Sequence, residues 1–193
     1  MIKGFNKSIN ILEELENDFF YLKQTWEEYK TIFSNKESIE DINKYCGSCF
    51  YTIQLSMNND IILTISRLLD NAKTGRNENL VLEKLLEFVS NDNDKSVLLA
   101  KIDCIRNIRD LCKLKELRNK RLSHRDSEQS SSFLLINYDC IEKIIRMIED
   151  FFIFFRDKNR LEYIVYDHFA IPPDCKNLII AIKYFNENYM KDN

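Results

Sequence analysis

The sequence predicts an all-α fold, an antiparallel helical bundle of about five to seven helices. Apolar residues recur in steps of three and four along most of the chain, which is the spacing of one helix face. Only three glycines and two prolines occur in 193 residues, too few for the tight turns of an all-β fold. No short Val/Ile runs alternate with helical segments as a parallel α/β sheet would require. With 45% hydrophobic and 12% aromatic residues, a chain of this size can bury roughly 70% of its unfolded surface without staples. We read one helical domain over 1–193, with an N-terminal helix at 1–36, a core at 39–160 and a C-terminal helical extension at 161–193.

The first helix is expected from Ser8 to Phe33. Leu12, Leu15, Phe19, Leu22, Trp26, Tyr29 and Phe33 form a single stripe, suited to the chain's own core or to a coiled-coil seam. Ser38 with Asp41 resembles a capping box for a second helical region, Ile39 to Asn71. Its later half carries Ile61, Ile62, Ile65, Leu68 and Leu69, and Asn58-Asn59-Asp60 is a candidate kink. The polar stretch Ala72 to Asn79, with Gly75, reads as a loop, and Leu80 to Val89 as a short helix.

After Ser90-Asn91-Asp92-Asn93 a long helix is expected to continue to Leu122 on Val97, Leu98, Ile102, Ile105, Ile108, Leu111 and Leu114. The polar run Asp126 to Ser132 stops it. Asn137 is placed to cap a further helix from Tyr138 to Lys158, with Ile141, Ile144, Ile145, Ile148, Phe151, Phe152 and Phe155 on its apolar face. Pro172-Pro173-Asp174 then precedes a terminal helix from Asp174 to Tyr189.

No run reaches transmembrane length and no apolar signal core opens the chain, so a cytoplasmic protein without membrane contact is expected. In that compartment Cys46, Cys49, Cys104, Cys112, Cys140 and Cys175 would be reduced thiols, most of them buried on helices. Cys46-Gly47-Ser48-Cys49 lacks a second ligand pair for zinc and the βαβ setting of a thioredoxin motif. No metal or cofactor is expected. The net charge of −3 excludes a globally basic nucleic-acid binder. It leaves room for a local one, since Lys101 to Arg125 holds nine basic and three acidic residues, a balance of +6 against −9 elsewhere.

That basic stretch ends in Leu117-Arg118-Asn119-Lys120-Arg121-Leu122-Ser123-His124-Arg125-Asp126. Arg118 and Asn119 followed by His124 after four intervening residues resemble the signature of the HEPN superfamily, an arginine and polar residue with a histidine four to six positions on. The form looks closest to the abortive-infection U-type proteins of phage defence, and Ile65-Ser66-Arg67-Leu68-Leu69-Asp70 is similar to the helix that precedes their motif. The resemblance covers residues 40–160. It implies a metal-independent endoribonuclease, a toxin or phage-defence effector, working as a homodimer whose active site is shared across the interface. An antitoxin protein is a further partner to expect.

The chemistry suits those residues. Metal-free RNA cleavage needs a base for the 2′-hydroxyl, an acid for the leaving 5′-oxygen and donors for charge growing on the phosphoryl oxygens. His124 titrates near neutrality, Arg118 offers a planar fork to phosphate, and Asn119 would orient the histidine or the sugar-phosphate. Lys120, Arg121 and Arg125 would track the RNA backbone. The other histidine, His168, is read as structural or on the surface. Six residues along a helix put Arg118 and His124 about 120° apart, so either the helix loosens near Ser123 or the groups converge from two chains. A non-catalytic module binding RNA, nucleotide or protein is the alternative, and an oligomer zipped through Leu15 and Leu22 is a third.

Overall fold

The computed structural model describes residues 2–119, 136–166 and 175–189. Among them the fold is all-α: α1 (Ile2–Phe33), α2 (Lys36–Leu69), a 3-10 turn η1 (Leu82–Phe88), α3 (Asp92–Leu111), α4 (Leu114–Arg118), α5 (Tyr138–Lys158) and α6 (Cys175–Tyr189). A two-residue antiparallel ladder, β1 (Lys73–Thr74) with β2 (Asn77–Glu78), closes around Gly75 in the left-handed region at φ 63°. The chain forms two compact units, Met1–Phe20 with Ile62–Tyr166, and Tyr21–Ile61 with Asp167–Asn193.

In the first unit, α5 packs on α3, and α3 also meets η1 and α4. The apolar face of α5 is buried as its spacing predicts, with Ile141, Ile144, Ile148, Phe151 and Phe152 entirely inaccessible. Asn137 Oδ1 accepts the amide of Cys140 at 3.1 Å, and Asn91 Oδ1 accepts those of Asn93 and Asp94 at 2.8 and 3.1 Å. Both caps satisfy first-turn donors that a helix cannot satisfy itself.

The first unit is also fastened by a buried ion pair. Glu16, 3% exposed, receives Arg156 Nε at 2.6 Å and Nη2 at 2.5 Å. The Tyr166 hydroxyl donates to the same carboxylate at 2.5 Å. Removal from water, then the neighbouring Glu16 carboxylate, pushes the Tyr166 phenol far above its ordinary range.

Within the segment expected as a short helix, Leu82–Phe88 forms a 3-10 turn that buries Leu82, Leu85 and Leu86. The expected long helix to Leu122 also breaks. It ends at Leu111, Lys113 adopts a left-handed conformation at φ 57°, and the chain restarts as α4. With the break, Leu111 turns outward, 81% exposed, while Leu114 and Leu117 become the buried residues.

In the second unit, Trp26 stacks on Tyr29 with ring centroids 5.6 Å apart, and Tyr29 meets Phe33 at 5.1 Å. Gln54 donates to the Tyr29 hydroxyl at 3.3 Å. Asn35, and not Ser38, caps α2, its Oδ1 accepting Glu37 N at 2.9 Å. The helix kinks at Cys46 (φ −132°) and remains helical through Asn58-Asn59-Asp60. From α6, Lys183 Nζ reaches Glu37 at 2.6 Å and holds that carboxyl below its usual range.

The whole α1 stripe from Leu12 to Phe33 is buried within one chain. Leu15 and Leu22 are consumed by the core, so the oligomer zipped through them is overturned.

One expectation about the thiols is also corrected. Cys46, Cys49 and Cys104 are exposed, since each falls off its helix's apolar stripe. The close packing of α3 on α5 brings Cys112 and Cys140 side by side, their Cα atoms 6.6 Å apart, within the range a disulfide can span.

Candidate active site

The arrangement around Arg118 is built on the end of α2. A helix leaves its last carbonyls without intrahelical partners and carries partial negative charge there. Three arginines from the basic stretch converge on that end. Arg106 donates through Nε to Leu69 O and through Nη2 to Asp70 O, both at 2.9 Å, and Nη2 also meets Glu83 at 2.6 Å. Arg109, 5% exposed, reaches Leu69 O from Nη1 at 3.4 Å and holds Asp110 at 2.9 Å through Nε.

Arg118, in the last turn of α4, completes the set. Its Nη1 donates to Asp70 Oδ2 at 2.5 Å, and its Nε donates to the Asn119 side-chain oxygen at 3.1 Å. Both Arg118 and Asp70 side chains are mostly buried, at 24% and 33% exposure. The left-handed turn at Lys113 aims α4 so that Leu114 and Leu117 enter the core. Buried leucines at that spacing fix the rotation of α4 about its axis.

The structure thus brings Arg118, Asn119 and Asp70 together. Asp70 is the residue the sequence did not assign to the site. Its signal was its place at the end of Ile65-Ser66-Arg67-Leu68-Leu69-Asp70, 48 positions from its partner. His124, Lys120, Arg121 and Arg125 lie outside the described residues, as does His168. Arg106 and Arg109 are spent on the α2 end, so the basic stretch is less of an open cationic surface than its charge count implies. Lys113 and Lys115 are exposed. Among the described residues no cluster of three or more His, Cys, Asp or Glu side chains is placed to hold a metal ion, and no helix is long and apolar enough to cross a membrane.

An all-helical chain that presents an arginine–asparagine pair at a helix end, with a histidine five residues beyond the asparagine, has the build of a HEPN protein. The model of the HEPN AbiU2 family matches residues 5–152. The chain therefore belongs to the AbiU2 family of HEPN proteins. The match begins at residue 5 and so takes in α1 as well as most of the 40–160 span that carried the resemblance. No curated protein and no solved structure gives a significant match.

Proposed function

We propose that this protein is a metal-independent endoribonuclease of the abortive-infection type, an RNase toxin or phage-defence effector, with Arg118, Asn119 and His124 as its catalytic residues. The observation that carries the reading is the Arg118–Asn119 pair held at the end of α4 against Asp70, five residues before the one histidine of that segment, in a chain of the AbiU2 family.

In this reading Asp70 fixes the guanidinium plane, and the donors not spent on Asp70 and Asn119 serve the phosphoryl oxygens as charge builds on them. His124 moves the proton of the 2′-hydroxyl, and the freed oxygen attacks the adjacent phosphorus. The 5′-oxygen leaves with a proton, and a 2′,3′-cyclic phosphate remains. Acid and base are needed at once, and the motif holds one imidazole, so a homodimer supplies the second. Lys120, Arg121 and Arg125 hold the RNA backbone, and an antitoxin protein would restrain the enzyme in the resting cell.

One observation favours the alternative of a non-catalytic RNA-, nucleotide- or protein-binding module: Arg118, Arg106 and Arg109 are all engaged in intramolecular ion pairs. Incubating purified protein with mixed RNA in EDTA separates the two. The nuclease yields fragments, undiminished by chelation. The binding module yields salt-sensitive complexes and intact RNA.

A further inference from the structure

α3 has two faces, and the core of its own chain uses one of them. Leu98, Ile102, Ile105 and Arg109 are buried. On another face Val97, Ala100, Cys104, Asn107 and Leu111 are all exposed, and they follow one another in steps of three, four, three and four. That is the spacing of a seam between two helices. Packing against one core accounts for a single stripe on a helix, so the second stripe is surplus to this chain's own folding. Leu111 at its end is 81% exposed, more than any other large hydrophobic side chain among the described residues.

The place and the charges of the stripe point to what covers it. Leu111 closes α3, seven residues before Arg118, and the turn after it leads directly into α4. The stripe thus ends next to the proposed site, whose chemistry needs a second copy. One flank of the stripe carries Asp103 and Asp110, the other Lys101 and Ile108. Both aspartates are paired with neighbouring arginines and yet stay 58% and 52% exposed. When two such helices run antiparallel, like flanks meet and the aspartates oppose each other, which is unfavourable. When they run parallel, unlike flanks meet, with Asp103 across from the partner's Ile108 and no like charges opposed.

We propose that α3 pairs in parallel and in register with α3 of a second copy of this chain, through Val97, Ala100, Cys104, Asn107 and Leu111. The choice of a second copy rests on the nuclease reading; the orientation rests on the charges. The two-fold axis runs along the seam, so both Leu111 ends, and the two α4 helices after them, lie at the same end of the pair. The small side chains of Ala100 and Cys104 let the axes approach to roughly 8–10 Å. Asn107 meets the partner's Asn107, and an amide pair of that kind disfavours slipped registers. Since α3 is already held by α5 and η1, the seam forms without the cost of ordering a helix.

The test uses the full chain in size-exclusion chromatography with light scattering. Wild type should be a dimer. Val97→Glu and Leu111→Glu each put a carboxylate into the seam and should weaken the dimer at least roughly tenfold, with helix content unchanged because neither side chain belongs to the core. Leu178→Glu, on the exposed side of α6, should leave the dimer intact. A short bifunctional maleimide reads the orientation. With Cys46→Ser and Cys49→Ser in place, Cys104 should link to the partner's Cys104. With Cys104→Ser added, Val97→Cys should also link to itself across the pair.

A protein monomeric at every concentration, a dimer indifferent to both glutamates, a dimer lost only with Leu178→Glu, or no linkage at Cys104 would each overturn the seam. Linkage at Cys104 without linkage at Val97→Cys marks an antiparallel pair and overturns the parallel one. RNA cleavage separates the seam from the nuclease reading. Leu111→Glu should lose cleavage together with the dimer, and a monomeric variant that cleaves as fast as wild type overturns the link between seam and site. A dimer through α3 that cleaves no RNA refutes the nuclease and leaves the seam standing.

Discussion

Replacing Asp70 by asparagine keeps the shape of the side chain and removes its charge. The pair it breaks joins Arg118 Nη1 to Asp70 Oδ2 at 2.5 Å, between side chains 24% and 33% exposed. A fully exposed pair would be worth about 0–1 kcal/mol, and a well-shielded hydrogen bond to a charged group about 1.5–3 kcal/mol. Partial burial places this one between, at about 1–2 kcal/mol. Removing one partner also leaves the other charge poorly solvated, so single variants overstate the pair. A double-mutant cycle of Asp70→Asn and Arg118→Gln isolates it. Urea unfolding should give a coupling of about 1–2 kcal/mol. In the nuclease reading Asp70→Asn should also cut kcat/KM roughly tenfold, equivalent to about 1.4 kcal/mol of transition-state stabilisation. A coupling within about 0.3 kcal/mol of zero would refute the claim that Asp70 holds the arginine.

Arg106→Gln deletes the bonds to Leu69 O, Asp70 O and Glu83, and should cost about 2–3 kcal/mol, seen as a lowered melting temperature with helix content preserved in the remainder. Tyr166 gives a pH signature. Its folded pKa lies above the unfolded value near 10, so its contribution is full below about pH 10 and falls as pH rises beyond that. Tyr166→Phe should therefore lower stability at neutral pH and flatten the alkaline decline, which denaturant midpoints across pH 8 to 11 would reveal. Polar substitution within the α5 stripe, such as Phe152→Ser, should cost at least the roughly 3–5 kcal/mol of a buried aromatic truncation, measured by chemical denaturation.

What was legible in the sequence was local. The α5 face from Ile141 to Phe155 and the asparagine cap at 137 depend on neighbours within one or two turns, and both are found in place. The break at Cys112–Lys113 left no such mark, since a lysine and not a glycine occupies the left-handed position. Arg106 and Arg109 read as open cationic charge because their partners at Leu69 and Asp70 lie some 36 to 40 positions away. Charge counting sees composition and not pairing. The kink at Cys46 stands directly before Gly47-Ser48, a Gly/Ser pair of the kind that marks helix kinks, while Asn58-Asn59-Asp60, where a kink was expected, stays helical. For the site, Arg118 and Asn119 were legible through the spacing to His124, while Asp70 required the fold to bring α2 and α4 together.

The most direct measurement compares wild type with His124→Ala on mixed RNA in EDTA, followed by analysis of the fragment ends. Wild type should produce 2′,3′-cyclic phosphate ends and the variant no fragments above background. Equal cleavage by both proteins would contradict the assignment of the site.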